Sequence, residues 1–407
     1  MIKMNDISNS APKIKLLIGI TLSEIGGSQK VVYDIISNLP EDKYEITLIT
    51  SPGGELIEWI NQLNAARSST INLITLKSLK HELSPLNDII ALSQLYRIMR
   101  KGNYDVAHFH TAKIGFIGRL SAWLRNIPQI LYTVHGWGIS SHLRPIMRRL
   151  LKIAEKVAVK FSTAIICVCK YDMNMAINKK WIPIKKAKLI YNGISYPDVH
   201  QTGRLRKHIA ISDTACIVGT TMRLKPPKTP LFAIQVMNEV CNKIPNVKFV
   251  IIGDGVLKEK CQSLINSTGA SDKMFLLGSI QDARTLVSDF DVFVLFSVSE
   301  GLPLSIIEAM FAGKPIVSNN VGGISELVEH GVNGYLIDNL DVNAASEYII
   351  KLLKDKALRE QMGSVGRQKA IETFNLQTML SKYQEIYGAK LCECGYNKKI
   401  RKGIIWH

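Results

Sequence analysis

The chain has 407 residues, 46% of them hydrophobic and 21% charged, with a formal net charge of +17. That length calls for two cores of about 150–200 residues each, and that composition excludes wholesale disorder. Apolar runs such as "FVII" (249–252) and "VFVLF" (292–296) have strand length, well below the ~18 consecutive apolar residues a membrane-spanning helix needs.

"KIKLLIGI" (13–20) reads as a buried first strand. It carries Lys13 and Lys15 and is followed by no small-residue cleavage site, so a signal peptide fits it less well and a cytosolic location is expected. A helix follows in "GGSQKVVYDIISNLP", with Val31, Val32, Ile35, Ile36 and Leu39 on one face and Pro40 at its end. "YEITLITS", "VAHFH" (106–110), "QILYTVHG" (129–136) and "TAIICVC" are further strands, with helices "LNDIIALSQLYRIMRKG" and "IGFIGRLSAWLRN" between them. This alternation predicts a parallel, doubly wound sheet with ligands at the carboxyl ends of its strands.

The pattern breaks at 191–212, which is turn-rich, polar and basic and reads as a linker. A second alternating series runs from "CIVGTTMR" to "GYLID", followed by helical segments over 342–388. The expected domains are residues 1–200 and 201–375, with a carboxyl-terminal helix and basic tail over 376–407. Two such α/β domains facing each other suit a substrate held across a cleft.

Seven cysteines with scattered spacing fit reduced thiols. Cys167 and Cys169 lie in the apolar run "AIICVC" and read as core, and Cys392 and Cys394 form a C-x-C without the second pair of a zinc site. The charge is uneven: residues 1–200 carry 26 Lys/Arg against 14 Asp/Glu, the remainder 25 against 20. Such an excess suits nucleic acid, an anionic membrane or a phosphorylated ligand, or simply a basic surface.

In "SVSEGLPLSIIEAM" a strand delivers Glu300 to a carboxyl-end loop shaped by Gly301 and Pro303, and a helix starts near Leu304. The free amides and positive dipole end of that helix suit a phosphate. Glu308, in its first turns, can accept two hydrogen bonds from a vicinal diol; the alternative is a pair of solvated acids stabilising a helix start. In "TTMRLKPPK", Arg223 and Lys228 follow the first strand of the second domain, where two fixed cations suit a diphosphate. Gly26 and Gly27 allow close backbone approach to an anion from the first domain. "GDG" (253–255) lacks the rest of a dinucleotide fingerprint and reads as a tight turn bordering the site. In "DFD" (289–291) structural roles for Asp289 and Asp291 fit better than a D-x-D metal site.

His108, His110 and His135 lie at two strand ends without a zinc-type partner set. His135, in "TVHGWG", is either a contact to a reacting group or a satisfied structural histidine. In "HLRPIMRRLLKIAEKVAVKF" (142–161), Arg144, Arg148, Lys152, Lys156 and Lys160 fall four apart, with Leu143, Ile146, Met147, Leu150, Val157 and Phe161 as an apolar flank. This composition suits docking on an anionic bilayer, or a solvated helix packed on the sheet.

Together these residues resemble the GT-B-fold, retaining nucleotide-sugar glycosyltransferases of family 4. The resemblance rests on the E-x7-E stretch Glu300–Glu308, the Arg-Leu-x-x-x-Lys element Arg223–Lys228, "VGGISELVEHGVNGYLI", and in the first domain "GGSQKVV", "HFHTAKIGFIGRLSAWL" and "YTVHGWG". It implies that Arg223 and Lys228 hold the donor diphosphate and Glu308 binds the ribose hydroxyls. Glu300 and the amides of Gly301, Leu302, Pro303 and Leu304 would engage the donor, a run in which proline supplies shape and no amide hydrogen. Ile280 joins the donor-binding set, Gly26 and Gly27 approach the phosphates, and His135 lies near the sugar. The family's expected activity is transfer from a nucleotide sugar, UDP-linked by family weight, to a lipid-diphosphate-linked bacterial glycan at the inner membrane face, without a metal. The motif's usual glycine after the lysine is Thr229 here. Rival readings are a GT-B-fold nucleotide-sugar epimerase and a basic nucleic-acid-binding protein; the latter lacks a recognition helix or aromatic platform.

Overall fold

The computed structural model describes residues 12–80, 82, 84–137, 145–196 and 203–393. These form two compact units. One takes the described residues of Met1–Ile166, Ala176–Lys188 and Leu380–His407; the other takes Cys167–Met175 and Leu189–Met379. The boundary thus falls at Lys188/Leu189 rather than 200/201, a short segment of the first half joins the second unit, and most of the carboxyl-terminal helix Leu376–Glu393 joins the first.

The first unit is built on strands β1 (Ile14–Ile20), β2 (Tyr44–Thr50), β3 (Asn72–Thr75), β4 (Val106–His110), β5 (Gln129–Val134), β6 (Ala164–Cys167) and β7 (Ala187–Leu189), in spatial order β3-β2-β1-β4-β5-β6-β7. The recorded pairings β1–β2, β1–β4, β2–β3 and β4–β5 are parallel. Leu16, Leu17, Ile18 and Ile20 of β1 are all fully buried, because helices cover both faces of such a sheet. The helix Ala112–Leu124 lies unusually close to it: a Cβ on Gly118 would come 2.3 Å from Phe109 of β4, and one on Gly115 2.4 Å from Tyr132 of β5. The helices Glu55–Ala66 and Lys170–Asn178 and the strands β3 and β7 were not read from the sequence; they are short or weakly patterned edge elements.

The helix Pro145–Ala158 has its charge arrangement turned around. Glu155 faces the domain and pairs through both carboxylate oxygens, at 3.0 Å each, with a guanidinium nitrogen of Arg119, whose side chain is fully buried. The Arg119 guanidinium also lies 4.0 Å above the Tyr132 ring, a cation–π arrangement. Ile146, Leu150, Ile153 and Val157 are 74%, 56%, 51% and 38% exposed, an outward apolar stripe flanked by exposed Arg149, Lys156 and Lys160. Lys152 is drawn in, its ammonium 5.8 Å from the Trp181 ring, so of the expected cations four apart it is Lys156 and Lys160 that are exposed among the described side chains. Leu143 and Arg144, and the side chains of Met147 and Arg148, lie outside the described residues. Among the described residues no helix is long and apolar enough to cross a membrane.

The second unit carries β8 (Cys216–Thr221), β9 (Val247–Ile252), β10 (Met274–Leu276), β11 (Val292–Leu295), β12 (Ile316–Asn319) and β13 (Gly334–Ile337), in order β10-β9-β8-β11-β12-β13, with every recorded pair parallel. In each unit the winding reverses once, between β1 and β4 and between β8 and β11. A crevice at the carboxyl ends of the strands is expected at each reversal. The supposed linker contains the short helix Arg204–His208, capped by Asp289: its two carboxylate oxygens accept from Gly203 N–H at 3.0 Å and Leu205 N–H at 2.9 Å.

Removing one partner of a buried ion pair leaves the other charge stranded, at a cost of about 3–5 kcal/mol. Glu155→Ala should therefore lower the melting temperature and speed hydrogen exchange across Pro145–Ala158, whereas Lys156→Ala should change neither.

Candidate functional site

In the second unit the loops after β8 and β11 are sewn together. Thr229 N–H donates to Phe296 O at 3.1 Å, Val298 N–H to Pro227 O at 2.9 Å, and Ser297 Oγ to Pro227 O at 3.0 Å. Asn319, at the end of β12, clamps the same segment by accepting from Ser297 N–H at 3.0 Å and donating to Ser297 O at 2.7 Å. This brings Lys228 and Glu300 together: Nζ and Oε1 are 2.5 Å apart and both side chains are largely shielded. Arg223, in the same loop, is exposed. Thr229 has φ −117°, a region any residue adopts, so the missing glycine demands no change of loop shape.

Neighbouring turns hold the two loops from behind. Leu224 N–H donates to Asp254 O at 2.8 Å and Met222 N–H to Ile252 O at 3.0 Å, so the 253–255 turn does border the Arg223 loop. Gly323 N–H donates to Gly301 O at 3.0 Å. Gly322 adopts φ +58°, and a Cβ there would lie 1.8 Å from the carbonyl oxygen of Glu300. The pair in "VGG" is therefore required both by backbone conformation and by close approach. Asn192 donates to Leu302 O at 3.2 Å. With the Gly301 and Leu302 carbonyls engaged from within the unit, the helix Leu304–Phe311 begins after Pro303; the Ile306 and Ile307 amides turn back to Pro303 O at 3.2 and 3.4 Å, while those of Leu304 and Ser305 have no acceptor within the helix. Positive charge, a helix amino terminus and a shielded carboxylate thus meet at the β8/β11 reversal.

Glu308 is buried on that helix. Tyr196, missed in the sequence, stacks on Phe311 with centroids 5.6 Å apart and donates to Arg284 O at 3.1 Å. Burial, assisted by the Glu308 carboxylate, pushes its phenol up to about 12. Ile280 is half-buried in the loop after β10. Asp289 and Asp291 have structural roles, as expected: Asp291 accepts from Ile217 N–H at 2.7 Å and lies 3.7 and 3.6 Å from Arg206 and Arg359. Glu326, unnoticed in the sequence, accepts from Lys170 and Tyr171 N–H at 2.9 and 2.8 Å and from the Tyr191 hydroxyl at 2.8 Å. It thereby caps the segment that crosses into this unit.

In the first unit Gly26 caps the helix Gly27–Asn38, whose first residue is Gly27, so the pair lies where the chain passes from the β1 loop into the helix. The loop before them is pinned by Gln29 Nε2 to Leu22 O at 2.9 Å and by Leu56 N–H to Ser23 O at 3.0 Å. At the β1/β4 reversal Thr111 adopts φ +69°, a costly backbone for a β-branched residue. Its hydroxyl accepts from Thr21 N–H at 3.2 Å and lies 2.8 Å from the Thr21 hydroxyl.

His108, His110 and His135 form a contiguous row. His108 Nδ1 is 2.8 Å from the Tyr387 hydroxyl and its Nε2 is 2.7 Å from Thr133 Oγ1; His110 Nδ1 is 2.9 Å from His135 Nε2. Burial lowers the pKa of His108 to about 3 and of His135 to about 4, and holds His110 well below the ordinary imidazole value. Among the described residues no group of three or more His, Cys, Asp or Glu could hold a metal ion. Cys167 and Cys169 are buried core residues as expected, with burial pushing the Cys167 thiol up to about 12. Cys394, the Cys392 side chain and the basic tail lie outside the described residues.

Residues 25–196 match the family described as Glycosyltransferase Family 4, and residues 202–369 match Glycosyl transferases group 1. The chain is 28% identical over 382 residues to the UDP-Gal:alpha-D-GlcNAc-diphosphoundecaprenol alpha-1,3-galactosyltransferase of Escherichia coli, covering 92% of this chain and 97% of that protein. It is 29% identical over 322 residues to the O-antigen biosynthesis glycosyltransferase WbnH of Escherichia coli, covering 79% and 85%. Among solved structures, Anabaena HepE in complex with UDP-glucose superposes with a TM-score of 0.77 at 21% identity, over 92% of this chain and all of that one.

Three neutral histidines, His108 and His110 fully buried and His135 half-buried, must take up protons on unfolding wherever the pH lies below the unfolded imidazole value. The unfolded state then binds more protons than the native state, so stability should fall as pH drops from about 6.5 toward 4, and be regained above 6.5. Thermal melts across pH 5–7.5 should show this slope, reduced in His108→Gln. Gly322→Ala, which drives a methyl into the Glu300 carbonyl, should lower both melting temperature and any activity, whereas Gly269→Ala, where a Cβ meets nothing within 4 Å, should spare both.

Proposed function

The chain belongs to the GT-B-fold glycosyltransferases, and from that premise we propose that it transfers a sugar with retention from a nucleotide donor, UDP-linked, to a lipid-diphosphate-linked glycan in bacterial surface-polysaccharide synthesis. The observation that carries this reading is the meeting of Lys228, Glu300, Arg223 and the amino terminus of Leu304–Phe311 at one strand reversal. The similarity to a galactosyltransferase whose named substrate is a diphosphoundecaprenol-linked sugar supports the acceptor class. HepE crystallised with UDP-glucose supports the donor class.

In this reading Arg223 and Lys228 hold the donor diphosphate and Glu308 receives the ribose hydroxyls. Glu300 does two things: its paired carboxylate orients the Lys228 ammonium, and its loop presents amides to the donor. As the bond from anomeric carbon to diphosphate oxygen breaks, charge grows on the departing nucleotide. Cations and helix amides already in place stabilise that charge without reorganising, which is where such sites gain most of their rate. The acceptor hydroxyl bonds to the anomeric carbon on the same face, and its proton passes to the departing phosphate oxygen. That route gives retention without an enzymic nucleophile.

No D-x-D metal enters this mechanism. Asp289 and Asp291 are committed to backbone amides and arginines, and two side-chain cations do the corresponding work at the diphosphate. We assign the membrane contact to the outward stripe Ile146, Leu150, Ile153 and Val157 with its flank Arg149, Lys156 and Lys160. Buried apolar side chains combined with attraction to anionic headgroups are what hold such a helix at a bilayer surface.

Arg223→Ala and Glu300→Gln should each lower kcat/KM by ~100-fold or more while retaining native circular dichroism; near-normal turnover in both sinks the assignment. Transfer should persist in excess EDTA. In a panel of nucleotide sugars, UDP-sugars should raise the melting temperature by mass action, and product should require a lipid-diphosphate acceptor. Leu150→Asp with Ile153→Asp should abolish flotation with anionic vesicles and leave turnover on a detergent-soluble acceptor intact.

A further inference from the structure

His110 is fully buried beside His135, which the family resemblance would set near the donor sugar, yet nothing above gives His110 a task. β4 places His108 and His110 on the same face, and the two differ in how their ring nitrogens are matched. Both nitrogens of His108 meet hydroxyls, of Tyr387 and Thr133. His110 meets only His135, Nδ1 to Nε2 at 2.9 Å with the rings 25° from parallel. Its Nε2 is buried with no hydrogen-bonding partner among the described residues.

One proton must lie between His110 Nδ1 and His135 Nε2. Burial keeps both rings neutral near pH 7, so one ring donates and the other accepts. If His135 donated from Nε2, the single proton of His110 would sit on its own Nε2, a buried N–H without an acceptor. If His110 donates from Nδ1, its Nε2 is only a bare lone pair. An orphaned buried donor is the rarer and costlier state. We infer that His110 is a positioning residue: it donates Nδ1–H to His135 Nε2 and thereby presents His135 as the Nδ1–H tautomer, a hydrogen-bond donor to a hydroxyl oxygen of the transferred sugar. The one lone pair of the His135 ring is then occupied by His110, so His135 does not serve as general base. The acceptor proton goes to the departing phosphate for want of another taker.

This inference rests on the assignment of His135 to the sugar, and the test separates the two. Two-bond 1H–15N correlation spectra of the full chain labelled at histidine, assigned with His110→Asn and His135→Phe, should show His135 neutral and protonated at Nδ1. A pattern protonated at Nε2 overturns the inference without any reference to activity. In kinetics, His110→Asn, whose amide can replace Nδ1–H, should stay within about threefold of wild type. His110→Gln, whose amide sits toward the Nε2 position, should lose ~10-fold or more in kcat/KM. On a His135→Phe background His110→Gln should cost nothing further; an equal loss there means that His110 is merely structural and overturns the positioning role. If His135→Phe alone transfers sugar at the wild-type rate, the role at the sugar is overturned, and the spectra still decide the tautomer.

Discussion

Parallel strands cannot be joined by tight turns, so each must be reached through a crossover that returns along one face of the sheet. Where successive crossovers change face, between β8 and β11, two adjacent strand ends send their loops apart. Everything at the candidate site follows from that constraint. The Arg223–Lys228 loop departs one way and the Glu300–Pro303 loop the other. Backbone bonds across the seam, from Thr229 to Phe296 and from Val298 to Pro227, keep them in register. The Lys228–Glu300 pair depends on that seam. Two flexible side chains on unanchored loops would lose more entropy in meeting than a surface ion pair returns; on anchored loops much of that ordering is already done.

Rigidity here is supplied from behind rather than by the residues that would touch a substrate. Asn319, Gly323, Asn192 and the 253–255 turn spend their hydrogen bonds on carbonyls and amides of the site loops. The Lys228 and Glu300 side chains, by contrast, are paired with each other. A transition state that lasts for a bond vibration is stabilised only by charges already in position, so this division of labour is a functional requirement. The first unit shows a related economy at its own reversal, where Thr111 at φ +69° is held by Thr21, and His108, at one end of the histidine row, by threonine and tyrosine hydroxyls.

The helix Pro145–Ala158 shows how composition can mislead about direction. Its basic and apolar residues are plain in the sequence, and either the sheet or a membrane could take the apolar face. One inward carboxylate turns that face away from the domain. Glu155 is fixed to the buried Arg119, and with that angle set, Ile146, Leu150, Ile153 and Val157 must turn outward. An acid in a basic helix looks like noise until its partner, 36 residues earlier in the chain, is seen to be inside the domain.

What the sequence by itself determined was local or periodic: two doubly wound halves, and the loops and helix start at the strand ends on which Arg223, Lys228, Glu300 and Glu308 stand. Hydrophobic period and glycine-shaped turns are written in neighbouring positions, so they can be read without the fold. The tertiary structure alone decided what depends on distant partners. It moved Cys167–Met175 into the second unit and the described residues from Leu380 onward into the first, because Glu326 captures the amides of Lys170 and Tyr171 and Tyr387 answers His108 across 279 residues. It also set His110 against His135, a relation between neighbouring strand ends that no spacing in the chain encodes.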